Sequence, residues 1–157
     1  MPLHHTPSSS PILNGELVSS SSSEVGTSVA VGAFDVKVNA PEMIAVPEGA
    51  SAIGRHLLEK TYHGALQGRS VGEMLSAGQP RSGEASYVAI ESFSGTLDGR
   101  TGGFALAHLG TMHAGGESLQ VTVVPGSGSG ELTGITGELV IRRENGKHDY
   151  TLNYRLP

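Results

Sequence analysis

A chain of 157 residues has the length of one domain and enough of it to bury its own core. With a net charge of −5 it carries no basic footprint for nucleic acid, and without cysteine it has neither disulfide nor thiolate chemistry. No apolar run approaches membrane-spanning length, and no positively charged segment leads into an apolar one at the N-terminus, so the expectation is a cytoplasmic protein with no membrane span and no signal peptide.

Residues 1–27, MPLHHTPSSSPILNGELVSSSSSEVGT, are rich in Ser and Pro and predict a flexible tail. Within them Asn14–Gly15 between apolar pairs is a hairpin-turn signal, so a small lid over a mouth is the alternative. Residues 28–157 form the folded domain. The stretches VAVGAFDVKV, YVAIESFSGTL, LQVTVV and DYTLNYRL are β-branched and alternating, as half-buried strands are. AIGRHLLEKTYHGAL (Ala52–Leu66) has helix-like composition but runs into a repeated turn motif, which makes it a strand.

That motif is an internal repeat. SGTLDGRTGGFAL (Ser94–Leu106) and SGELTGITGELVI (Ser129–Ile141) align without gaps at a spacing of 35 residues, and HGALQGRSVGEML (His63–Leu75) is a looser third copy. Gly is used about twice as often as usual, 23 residues in all, and falls at these corners. Three hairpin corners plus the Asn145–Gly146 turn account for about eight strands, an all-β chain that closes into a barrel or sandwich. The glycines do not form a phosphate loop. Ile141 stands where a Walker motif ending at Gly146–Lys147 needs its first Gly, and no G-x-G-x-x-G completes.

VVPGSGSGELTGITGELVI (Val123–Ile141) resembles the glycine-rich corner of plant allene oxide cyclases and, more loosely, that of dirigent proteins. The longer stretch from GAFDVKV through KTYHGALQGRSVGEML, YVAIESFSGTLDGRTGGFALAHLGTM and VVPGSGSGELTGITGELVI to GKHDYTLNYRL is similar to an uncharacterised bacterial family grouped with those barrels. The resemblance covers nearly everything from Gly32 to Leu156. It implies a single eight-stranded antiparallel β-barrel of calycin type with a hydrophobic interior. Plant members isomerise an epoxide to a cyclopentenone without a cofactor, related bacterial barrels close spirotetronate rings, and dirigent proteins steer radical couplings. The implied activities are therefore a cofactor-free isomerase or cyclase, or a non-catalytic guiding barrel.

Hairpin geometry then nominates site residues. A symmetric turn over Asp98–Thr101 sets Glu91 opposite His108, Phe93 opposite Leu106 and Tyr87 opposite Met112, all on one face together with Phe104. Val88, Ile90, Ala105 and Leu109 fall on the other face. With the aromatic face inward, Glu91 and His108 form an acid–base pair in an apolar pocket, against the alternatives of a surface ion pair or a satisfied core pair. The Asn145–Gly146 turn pairs Ile141 with Tyr150, Leu139 with Leu152 and Arg143 with His148. Tyr150 and Tyr154 either offer phenols to a ligand or pack in the core. Lys37 anchors an anion or points outward, and His63 is a rim proton donor or an exposed turn residue.

No metal site is expected. His4–His5 lies in the tail, and His108 and His113 fall on opposite faces of a strand. No Ser sits in a nucleophile elbow. The partner expected is thus a small apolar or amphiphilic molecule with no cofactor. Three functions compete: a cyclase or isomerase using Glu91 and His108, a non-catalytic binding barrel, and an oligomeric scaffold with a filled lumen. Apolar residues on both strand faces leave room for homo-oligomerisation.

Overall fold

The computed structural model describes residues 26–157. The tail, its Asn14–Gly15 turn and the lid alternative lie almost wholly outside them. Ten strands follow in order: β1 (Ser28–Val38), β2 (Glu42–Met43), β3 (Ile53–Gly64), β4 (Leu66–Gln79), β5 (Glu84–Leu97), β6 (Arg100–His113), β7 (Gly116–Val123), β8 (Ser129–Gly130), β9 (Thr136–Glu144) and β10 (Lys147–Arg155). Eight are long, and β1 pairs with both β10 and β3, which closes the sheet into an antiparallel barrel. Ala52–Leu66 is indeed mostly strand. Period-2 alternation is clear on β5: Ala89, Glu91 and Phe93 point inward, while Val88, Ile90 and Ser92 alternate with them and face out.

Two of the tight hairpins are type I′ turns, which need positive φ at both central residues. Asn145 and Gly146 have φ 52° and 75°, and the β9–β10 register is the expected one, with Ile141 facing Tyr150. In the β5–β6 hairpin the central residues are Asp98 and Gly99, at φ 48° and 82°. The turn therefore sits one residue earlier in the chain than a closure over Asp98–Thr101. Leu97 pairs with Arg100, Phe93 with Phe104, and Glu91 with Leu106. A two-residue correction leaves every side chain on its expected face, so Glu91 and His108 become diagonal neighbours instead of opposite ones.

The three repeats diverge in three dimensions. Only the Ser94–Leu106 copy turns at its Asp-Gly position. In the first copy Ala65 makes the turn, and Gln67–Gly68 continue into β4. The third copy is not a hairpin corner. Its β8 pairs with β6, the chain turns through residues 131–134, and Leu132 and Ile135 fold back as a plug in that end of the barrel, almost fully buried. Burying each of these side chains is worth roughly 2 kcal/mol, a gain that an open corner forgoes. Backbone bonds from Glu131 N to Thr101 O (2.9 Å) and from Leu132 N to Ser129 O (3.0 Å) hold the plug. The barrel thus has one sealed, apolar end, packed with Leu66, Leu97, Phe93 and Phe104, and one open end.

Candidate functional site

The open end leads into a cavity of about 540 Å³. Its upper wall is apolar and adaptable, carrying Met43, Met74, Met112 and Tyr87, and its depth is reached at Ala89, Lys60 and His108. Each wall residue is placed by the strand period: Leu58, Lys60 and Tyr62 alternate inward on β3, as do Tyr87, Ala89 and Glu91 on β5.

Below the floor sits Glu91, with 0% exposure. Four donors converge on its carboxylate. Lys60 Nζ (2.9 Å), Tyr62 OH (3.0 Å) and His108 Nε2 (2.9 Å) reach Oε1, and Ser70 donates to Oε2. Burial by itself pushes the Glu91 pKa up. The hydrogen bond from His108, the charge of Lys60 and the hydrogen bond from Ser70 outweigh it and bring it down to about 2. Burial and the Glu91 charge in turn push the Tyr62 phenol up, so it stays protonated and donates. The close approach of β4 to the Glu91 backbone depends on Gly72, the cross-strand partner of Glu91. A Cβ there would come within 2.3 Å of Ile90 O and 2.7 Å of Glu91 Cα.

An ionised carboxylate only accepts, so His108 must present Nε2–H to it. When the ring is neutral its lone pair is therefore on Nδ1. This nitrogen has no protein partner, and among the described residues no buried polar side-chain atom lacks one, so Nδ1 opens to the cavity that His108 lines. Lys60 spends one of its donors on Glu91, and its Nζ lies 4.5 Å from the centroid of Phe34. The floor thus presents a base and a cation side by side, both oriented by a buried carboxylate. Such a pair can withdraw a proton next to a carbonyl and stabilise the oxyanion that forms.

Of the residues nominated from sequence, Tyr87, Met112 and His108 line the cavity, and Glu91 lies directly behind it. The Tyr87 ring lies across Gly110, where a Cβ would come within 2.2 Å of it. The others sit elsewhere. Phe93, Phe104 and Leu106 pack in the apolar layer between Glu91 and the plug. Tyr150 OH accepts from Leu66 N (2.8 Å) and donates to His63 O (2.9 Å), pinning the Ala65 turn, and Tyr154 OH donates to Asp98. Their phenols are committed to the sealed end because β10 runs inward there. Lys37 is exposed, since the inward parity of β1 belongs to Phe34, Val36 and Val38. His63 is exposed and bonded to Asp35 (3.0 Å). Lys60, Ser70 and Tyr62 were not nominated. The available signal was Lys60 lying between Leu58 and Tyr62 on one strand face.

Comparison with known proteins fits this architecture. Residues 30–154 match the model of a family described as a protein of unknown function, DUF3224. A crystal structure from Shewanella oneidensis, of a protein with unknown function from the DUF3224 family, is 46% identical. The match covers 83% of this chain and 98% of that one, with a TM-score of 0.76. No curated protein matches. On the extent of both matches, the chain belongs to the DUF3224 family.

Proposed function

We propose that the barrel binds a small amphiphilic metabolite and acts on it as a cofactor-independent isomerase or cyclase. The observation that carries this is an open apolar cavity ending on Lys60 and His108, both held by the ionised, buried Glu91. His108 Nδ1 takes a proton from the ligand, Lys60 steadies the oxygen that gains charge, and the walls hold the reactive conformer. Its volume lies within the usual range for small-molecule sites, and the likeness of the glycine-rich stretch to allene oxide cyclases supports the same direction. The non-catalytic alternative uses the same cavity without proton transfer. The outer wall also exposes Leu75, Val88 and Leu109 in one cross-strand row, beside Ile90, which favours a homo-oligomer.

The test is mass spectrometry of small molecules released from the purified protein, followed by turnover of whatever is found. Replacing His108 by Asn should abolish turnover and keep binding. If turnover survives that change, the proton-transfer role of His108 is wrong. If the compound is bound and never converted, the barrel is a binding module.

A further inference from the structure

The charge of the cavity is one-sided. On that basis we infer that its ligand is an amphiphilic anion, with an acidic head held at the mouth by Arg143 and an apolar body reaching toward Lys60. This rests on the small-molecule reading above and specifies its ligand class.

The chain contains 15 Asp and Glu against 10 Lys and Arg, yet among the described residues no carboxylate lines the cavity. Lys60, Arg143, His56, His108 and His148 do. Lys60 and the Glu91 beneath the floor offset each other as a pair, which leaves Arg143 as the uncompensated charge of the cavity. Arg143 is exposed at the mouth and has no carboxylate partner among the described residues, whose ion pairs are Arg55–Glu73, Lys60–Glu91, His63–Asp35 and His108–Glu91. Its planar fork of donors is free for a carboxylate, sulfonate or phosphate group.

A line of basic side chains continues inward from it. Arg143 pairs across strands with His148, whose ring stacks on Phe34 at 5.1 Å, and the ammonium of Lys60 also lies against the Phe34 ring. Burial, with the charges of Arg143 and Lys60, pushes the His148 pKa down. A bound anion meets the charge of Arg143, which no carboxylate among the described residues offsets, whereas a cationic ligand is repelled by it. A neutral ligand gains nothing from Arg143.

Two dyes of one aromatic frame separate charge from cavity filling: 8-anilinonaphthalene-1-sulfonate and N-phenyl-1-naphthylamine, which lacks the sulfonate. On the full chain at low salt both should bind, the sulfonate about tenfold tighter. Decanoate should displace them better than 1-decanol, and decyltrimethylammonium should not. Arg143→Glu and Arg143→Gln should remove the advantage of the sulfonate and leave the neutral dye within about twofold. Both substitutions are at an exposed position, and circular dichroism checks the fold of each variant. Dye on the outer apolar wall would be indifferent to Arg143. If the neutral dye binds as tightly as the sulfonate, or the advantage survives both variants, the anion inference is overturned and cavity binding stands. If neither dye binds, both fail together.

Discussion

Replacing Lys60 and Glu91 separately and together should expose the energetics of the floor. At 2.9 Å the two charges attract by about 6 kcal/mol at an effective dielectric constant of 20. Desolvation takes back several kcal/mol per ion, so the intact pair contributes little net stability. Removing one partner leaves the other buried without its counter-charge. Lys60→Met and Glu91→Gln should therefore each cost about 3–5 kcal/mol at neutral pH, and the double variant should lie within about 2 kcal/mol of the parent. A second signature is in acid. The folded-state pKa of Glu91 lies below its ordinary value of 4.5, at about 2. Its contribution is complete above pH 4.5 and is lost as pH falls toward 2, a drop of about 3 kcal/mol at about 1.4 kcal/mol per pH unit. The double variant should lack that acid limb. Urea denaturation followed by far-UV circular dichroism at several pH values measures both quantities. Additive single-variant costs, or an unchanged acid limb in the double variant, would refute the coupling.

Three further outcomes test the surrounding frame. Gly110→Ala should displace the Tyr87 ring at the mouth, changing neutral-dye affinity several-fold by fluorescence titration while costing only about 1 kcal/mol of stability, because the clash is with a movable side chain. Tyr150→Phe removes the hydroxyl that serves Leu66 N and His63 O and should cost about 1–3 kcal/mol in denaturant with dye binding unchanged. Ile90→Lys on the outer wall should lower the mass seen in sedimentation if that face joins copies of the chain, and an unchanged sedimentation profile would remove the face from consideration.

How far the site was legible follows from strand parity. Glu91 and His108 could be brought together from sequence because an error of two residues in the β5–β6 register keeps both on one face. Lys60 could not be placed that way. Taking Gln67–Gly68 as the turn, as the repeat suggests, sets Lys60 against Leu75, an outward residue. The real turn at Ala65 sets it against Ser70, an inward one. One turn of different length thus reverses which face of β3 is seen as lumen. The plug escaped for a related reason. Local sequence shows glycines able to turn, but Leu132 and Ile135 fold back only because the barrel end beside them would otherwise be open.

Polar atoms in a barrel interior need a reason beyond stability, since an apolar layer of similar volume at the level of Glu91 would hold the fold at least as well. Around Glu91 every buried polar group is satisfied, so the cluster is rigid and its geometry is set before any ligand arrives. The atoms left over are not distributed at random. Tyr62 and Ser70 spend their hydroxyl protons on the carboxylate, and the sealed end is apolar. The remaining capacity, His108 Nδ1 and the free donors of Lys60, belongs to residues that line the cavity. In the function proposed above, Glu91 is therefore a positioning residue, behind two groups that line the cavity. Reversing the order, with the carboxylate at the surface of the cavity, would put an unshielded negative charge into an apolar wall and turn away the anion inferred to bind there.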